Sequence, residues 1–369
     1  MAGETRMTLI KVKSRGSEAI GRRNLVINGD MRVAQRGTSK TSITTAGYYT
    51  VDRMQTEIQN AGTWTMTQSD DVPTGLGFTK SFKYDCTTAD TSLGVSDYFI
   101  QRHSFEGTDL QRLMYGTSDA KPVTISFYVK SNKTGTYVCE LQQLATDGTY
   151  PRSGKSFTID SANTWERKVI TINGNTAKLI PDSTARGLDI MIWMAAGTNF
   201  TSGTFNAGNS WTTDNSERVG ALNVNIADNT ANEILFTGLQ MEIGTSVTEF
   251  EHGRSFAEEL QICKRYFQNI GADGTPNAGF NYNDLPMFTC HWPVEMRATP
   301  TASVQGTGSA YSSTNASGQT NYTGSTTSNL NIYLKSNRNY LTGGSWSGSG
   351  NDRGNAVLGN QNVNFDAEL

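Results

Sequence analysis

Short runs of β-favouring residues, each closed by Gly, Asn, Asp, Ser or Pro, follow one another from Asn24 to about Glu251, and no helical periodicity intervenes. Thr63-Trp64-Thr65-Met66 alternates, and Val123–Val129 is a near-continuous strand ended by Lys130-Ser131-Asn132. Gly135–Leu141 reads as its hairpin partner, and Trp165–Ile172, Leu188–Met194 and Ile234–Ile243 continue the series. A parallel sheet needs crossover helices between its strands, and none is encoded here. The pattern therefore predicts an all-β chain built as a jelly roll or β-sandwich.

Composition agrees. Charged residues make up 18% of the 369, against roughly 25% in an average globular protein. The chain carries 37 glycines, and Tyr, Phe, Trp, Val and Ile recur throughout, which argues against disorder. A net charge of -3 supplies no field for nucleic acid, and the basic residues are scattered. The longest apolar stretches, such as Ile190–Ala196, fall far short of the roughly 20 residues that cross a bilayer. Residues 1–23 lack the apolar core of a signal peptide, so assembly in a cytoplasm is expected. The cysteines Cys86, Cys139, Cys263 and Cys290 show no zinc-type spacing. No cofactor or metal is expected.

Four segments emerge. Residues 1–23 read as an N-terminal arm with one short alternating piece, Thr8–Lys13, which needs a partner outside its own fold. Residues 24–252 form the sandwich. Residues 253–270 hold a connecting helix, opened by the capping box Ser255-Phe256-Ala257-Glu258 and striped by Phe256, Leu260, Cys263 and Phe267. Residues 271–369 read as a smaller C-terminal β domain, with a strand pair over Asp284–Ala298 and strand-like alternation at Leu330–Leu334 despite many Ser, Thr, Gly and Asn. Asn28-Gly29-Asp30 is a turn between two strand-like pieces. Asp52-Arg53, and Glu251 with Arg254, are placed to form ion pairs that close the first strand onto the last.

Three blocks carry a resemblance. The first is Asn24-Leu25-Val26-Ile27-Asn28-Gly29-Asp30-Met31-Arg32-Val33-Ala34-Gln35-Arg36-Gly37 with Gly47–Arg53. The second is Tyr115-Gly116-Thr117 with Lys121–Ser131, and the third is Phe236–Gly244 with Thr248–His252 and Glu258–Phe267. In this order they resemble the opening, central and closing segments of a family of phage tail-fibre and virion structural proteins common among marine and cyanobacterial phages. Tyr115 stands where that family has Trp. The resemblance spans roughly residues 22–270 and implies a jelly-roll domain similar to carbohydrate-binding modules, carried on host-contacting appendages and without a known catalytic site. It implies localisation in the virion and, with the unpaired strand of the arm, a homotrimer attached to other virion proteins through residues 1–23. An assembly-only role as a capsid or collar decoration protein is the alternative.

The residues offer little to an enzyme. A polysaccharide depolymerase tailspike needs two carboxylates flanking a glycosidic bond. Asp70-Asp71 sits in a turn and Glu258-Glu259 on a helix end, while His103, His252 and His291 are isolated. Sugar binding asks instead for loop aromatics among hydroxyl-bonding side chains. Trp211, Tyr150 and Trp346 are the carbohydrate-binding candidates for host surface polysaccharide, each of which also reads as a packing residue.

Overall fold

The computed structural model describes residues 23–270, 278–282, 285–291, 293–305, 309–314, 320–325, 330–334, 339–344, 355–358 and 362–369. The arm, apart from Arg23, lies outside them, as does Trp346. The strands of the first part are β1 (Ser39–Ile43), β2 (Gly47–Tyr48), β3 (Gln55–Gln59), β4 (Thr63–Ser69), β5 (Ser81–Thr88), β6 (Tyr98–Glu106), β7 (Val123–Ser131), β8 (Gly135–Gln143), β9 (Arg152–Ile159), β10 (Glu166–Ile172), β11 (Arg186–Ala196) and β12 (Glu233–Ile243). They form two six-stranded sheets, β1-β4-β5-β12-β7-β10 and β2-β3-β6-β11-β8-β9, in which every pairing is antiparallel. From β5 onward the chain passes repeatedly between the sheets. This is a jelly-roll sandwich.

The predicted hairpin of Val123–Val129 with Gly135–Leu141 is corrected by this topology. β7 pairs with β10 and β12, whereas β8 pairs with β9 and β11. The turn between them carries the chain from one sheet to the other. It is pinned there by Asn132, whose Nδ2 donates to the Ala231 carbonyl at 2.9 Å.

The sheets enclose an aromatic core. Trp64 stacks on Phe99 with centroids 4.3 Å apart, and Tyr84 meets both rings edge-on. Each such fully buried side chain contributes roughly 1.5–3 kcal/mol. A second cluster lies on the outer face of the β11 sheet, where Trp193, Met191, Ile100 and Val138 are covered by Phe200, Phe205 and Val219 from the excursion after β11. That excursion opens with the short helix α1 (Thr198–Thr201). It is tied down by Arg218, which pairs with the buried Glu140 at 2.6 Å and lies over the Trp193 ring at 4.6 Å.

The capping box forms as predicted, with Ser255 Oγ accepting from Glu258 N and Glu258 Oε2 accepting from Ser255 N. Helix α2 (Phe256–Lys264) follows, but its buried face is Glu259 and Cys263. Phe256 is 51% exposed, and Phe267 belongs to the next strand. The expected apolar stripe fails because Glu259 turns inward to accept from Asn28 N and Arg254.

Among the described residues ten further strands follow: β13 (Phe267–Ile270), β14 (Ala278–Tyr282), β15 (Leu285–His291), β16 (Thr301–Gln305), β17 (Ser309–Thr314), β18 (Thr320–Ser325), β19 (Leu330–Leu334), β20 (Asn339–Gly344), β21 (Asn355–Leu358) and β22 (Asn362–Asp366). Three of them make a small sheet, β13-β22-β16, and the other seven make the sheet β18-β17-β21-β14-β15-β20-β19. In the predicted pair over Asp284–Ala298, only Leu285–His291 is a strand, and its partners are β14 and β20.

Candidate functional site: the junction groove

Residues 24–37 of the first resemblance block are not strand. Asn28 and Met31 adopt positive φ, 58° and 60°, and the segment is held by side chains. Asn28 Nδ2 donates to the Val33 and Asp52 carbonyls, both at 2.9 Å, while its Oδ1 accepts from Val33 N. The flanking strand-like pieces predicted there are therefore absent, although the turn itself is present. Gly29 is required by close approach, since a Cβ would stand 2.1 Å from the Leu239 carbonyl oxygen. Leu239 follows Gly238, whose φ of +65° marks a bulge in β12. The opening and closing blocks thus meet in space, and Leu239 N donates to the Gly29 carbonyl at 2.9 Å.

The ion pairs predicted for this region have other partners. Asp52 accepts from Gln35 N at 2.9 Å and faces Arg36 at 3.8 Å, while Arg53 pairs with Glu368. Glu251 caps Arg23 N and Asn24 N, and Arg254 pairs with Glu259 at 3.1 Å. For Arg53 the reason is the return of the chain end, which brings Asp366 and Glu368 onto the arginines of the opening block, and for Arg254 it is the inward turn of Glu259 on α2.

These contacts fix the small sheet to the sandwich. Arg53, fully buried, lies 3.6 Å over the Tyr266 ring and donates to the Ser104 carbonyl at 2.6 Å. Arg36 lies 3.7 Å over the Phe267 ring and pairs with Asp366 at 2.8 Å and Glu368 at 3.3 Å. Glu106 accepts from Arg265 twice at 2.8 Å and from Tyr266 Oη at 2.7 Å. Arg297 closes the underside, donating to the Ala367 and Glu368 carbonyls. Burial pushes the Asp52 carboxyl up to about 6 against the opposing Arg36 charge and Gln35 bond. His103, in the core beside Arg53, is held neutral by burial first and by that cation second.

Alongside this junction runs an open groove of ≈ 300 Å³, between the β2 edge of the sandwich and the small sheet. Tyr48, Tyr49, Arg36 and Lys40 form one wall, and Phe267, Ser303, Asn364 and Asp366 the other. Tyr48 Oη donates to the Leu369 carbonyl at 3.1 Å, and Tyr49 Oη to the Thr45 carbonyl at 2.8 Å, so both phenols are oriented. Sequence reasoning missed this site because β2 and β22 lie more than 300 residues apart. The adjacent aromatics Tyr48-Tyr49 in the opening block were its one legible signal.

Of the sequence candidates, Trp211 is half-buried, donates from Nε1 to the Asn173 carbonyl at 2.9 Å and meets Tyr115 edge-on at 5.6 Å. It packs against the core. Tyr150 is 46% exposed at a loop end. An antiparallel bridge of Arg152 with Thr212 sets their segments side by side, well apart from the residues of the groove. Cys86, Cys139 and Cys263 are free and buried, and among the described residues no cluster of His, Cys, Asp and Glu is arranged to hold a metal. No helix among the described residues is long and apolar enough to cross a membrane.

The strand order and the groove define an all-β sandwich of jelly-roll type that carries further β structure on one side. No family model matches the chain, and no curated protein matches it. Among solved structures, the enzymatically active domain of tailspike protein 4 of bacteriophage CBA120 aligns over 60% of this chain and 21% of that one, with 13% identity and a TM-score of 0.32. The C-terminal family 22 carbohydrate binding module of a Clostridium thermocellum protein aligns over 58% of this chain and 98% of that one, with 10% identity and a TM-score of 0.30. A xylan-binding domain from Paenibacillus barcinonensis aligns over 58% and 99%, with 8% identity and a TM-score of 0.28. Likenesses at this level carry no argument, and the fold stands on its own strand order.

Proposed function

We propose that the chain is a non-enzymatic structural and adhesive component of a bacteriophage particle, a tail fibre or comparable appendage. In this reading the sandwich is a rigid platform that presents the C-terminal β structure to the host surface. The observation that carries it is where the resemblance residues go. Asn28, Gln35, Arg36, Asp52 and Arg53 from the opening block, and Arg265, Tyr266 and Phe267 from the closing block, build the junction to the small sheet. Residues that the family resemblance singles out thus serve to hold one β unit on another, as a presenting platform requires.

Glycan contact without cleavage is the chemistry we assign. Among the described residues, one carboxylate lines the groove, Asp366, and its oxygens are engaged by Arg36 and by Glu368 N. Glycoside hydrolysis takes two free carboxyl groups about the bond. Residues 1–23 attach the chain to the particle, and a homotrimer supplies the multivalency that weak sugar sites need.

The test combines purified particles with purified protein. Antibody to the chain is expected to label virion appendages, and the protein to be retained by host envelope polysaccharide with no release of reducing ends. Labelling without retention points to an assembly-only part, release of oligosaccharides to a depolymerase, and absence from the particle ends the proposal.

A further inference from the structure

The groove beside the junction has the makings of a defined ligand site, and it differs in kind from the loop aromatics. Its volume of ≈ 300 Å³ lies at the lower end of the roughly 300–1,000 Å³ of small-molecule sites. Its walls come from two units that are locked together by buried ion pairs, so the site is formed before any ligand arrives. Preformed walls spare a ligand the ordering cost that a mobile loop would impose.

The charges in the groove are unequal in availability. Arg36 is committed to Phe267, Asp366 and Glu368. Asp366 is committed to Arg36 through one oxygen and to Glu368 N through the other. Lys40, exposed on β1 at the rim, has no carboxylate within ion-pair distance among the described residues. Six other lysines of the sandwich, Lys80, Lys83, Lys130, Lys133, Lys168 and Lys178, each have one, and Lys121 and Lys155, which like Lys40 do not, lie outside the groove. The groove therefore offers one uncommitted cation next to two oriented tyrosines, with the Ser303 hydroxyl and the Asn364 amide opposite. Asn364 Oδ1 already accepts from Asn269 Nδ2 at 2.9 Å, which turns its own amide nitrogen to donate.

We propose that this groove binds an anion-bearing sugar unit of a polysaccharide, with the anionic group on Lys40, the sugar face against Tyr49 and its hydroxyls on Ser303 and Asn364. This rests on the glycan-contact reading above and names the class of sugar and the place. Carboxylate, sulfate and phosphate substituents share the required chemistry, a fixed anion on a ring that otherwise presents CH and OH groups.

The experiment uses the full-length protein in affinity electrophoresis through gels containing polygalacturonate, dextran sulfate or neutral dextran, at low and high salt. Retardation is expected in polygalacturonate or dextran sulfate at low salt and not in dextran. Which of the two polymers retards identifies the anion. Lys40→Glu, an exposed change that leaves the fold alone, is expected to weaken the apparent affinity about tenfold or more, the loss of one charge-assisted contact. Tyr49→Ala is expected to weaken it by a smaller factor, and Lys155→Glu, the same charge change at an exposed site on β9, to leave it unchanged. Retardation that is indifferent to Lys40→Glu and Tyr49→Ala overturns the groove while sparing the glycan-contact reading. Equal retardation in dextran overturns the anionic class, and no retardation in these gels or in host polysaccharide removes both.

Discussion

Arg218 and Arg53 are made of the same parts, a buried guanidinium laid over an aromatic ring and paired with a buried carboxylate, yet they close very different distances. Arg218 reaches Glu140 from the excursion that covers the sheet carrying Glu140, so the clasp holds a flap on its own wall. Arg53 reaches Glu368, at the far end of the chain, and with it fixes a second β unit to the sandwich. The flap also has an apolar underside of Trp193, Phe200, Phe205 and Val219. The junction buries apolar side chains too, Tyr266, Phe267, Met296 and Phe365, but it also places four arginines, Arg36, Arg53, Arg265 and Arg297, across the seam. The first clasp holds a flap on its own sheet, whereas the second carries part of the attachment between units.

The largest effect should follow from breaking the long-range clasp. Arg53→Ala leaves Glu368 with Arg36 as its remaining cation, and losing one member of a buried pair costs about 3–5 kcal/mol, the retained contact placing the loss toward the lower figure. Chemical denaturation is expected to split into two transitions, with protease entering between the sandwich and β13 while the sandwich resists. A single cooperative transition with unchanged midpoint would show that the junction is held by something else.

Acidity should sharpen the same contrast, because the junction and the core beside it contain two groups that titrate in opposite senses. Asp52 has its folded pKa raised to about 6. Its contribution is fully present below the unfolded value near 4 and is lost as pH rises to 6, roughly 2–3 kcal/mol over the window. His103 is depressed, so its contribution is present above about 6.5 and is lost as pH falls. Asp52→Asn should therefore remove the loss on raising pH from 4.5 to 6, and His103→Leu the loss on lowering it below 6.5. Denaturation midpoints at three pH values separate them, and parallel profiles for both variants would refute the assignment.

A gentler change is expected at the local clasp. Replacing Arg218 and Glu140 together by Met removes both charges at once, an exchange that is often near neutral, but it orphans the buried Trp193 Nε1–H that donates to Glu140, so a loss of about 1–3 kcal/mol is expected. A loss as large as that of Arg53→Ala would mean that the two clasps are equivalent. The smallest effect is reserved for Tyr150→Ala, within about 0.5 kcal/mol for an exposed position touching neither clasp, measured by the same denaturation.

How much of this was legible depends on range. β4 was readable because its residues alternate, β7, β10, β11 and β12 because short runs of β-favouring residues are closed by turn residues, and the cap of α2 because Ser255 and Glu258 are three residues apart. The sheet assignment of β8 was not, since a turn that crosses between sheets has the same residues as one that folds back. Glu259 looked like a solvated helix residue, yet its partner Asn28 lies 231 residues away. The groove was invisible for the same reason. The aromatic candidates Trp211 and Tyr150 were chosen by local composition, which does not tell a packing ring from a ligand platform, and Trp346 falls outside the described residues.

The three-stranded sheet beside the sandwich also bears on how such a chain can change over generations. The chain leaves it at Ile270, touches it again at Thr301–Gln305 and returns at Asn362–Asp366, where β22 lies antiparallel between β13 and β16. The second excursion leaves at Gln305 and returns at Asn362, which are cross-strand partners, so whatever lies in it begins and ends at nearly the same place. The entropy of closing such an excursion grows only with the logarithm of its length, about 0.6 kcal/mol per doubling. Insertions, deletions or wholesale replacement between those strands are therefore cheap for the sandwich, and the arrangement works as a socket into which new sequence can be exchanged while the sandwich and its clasp stay as they are.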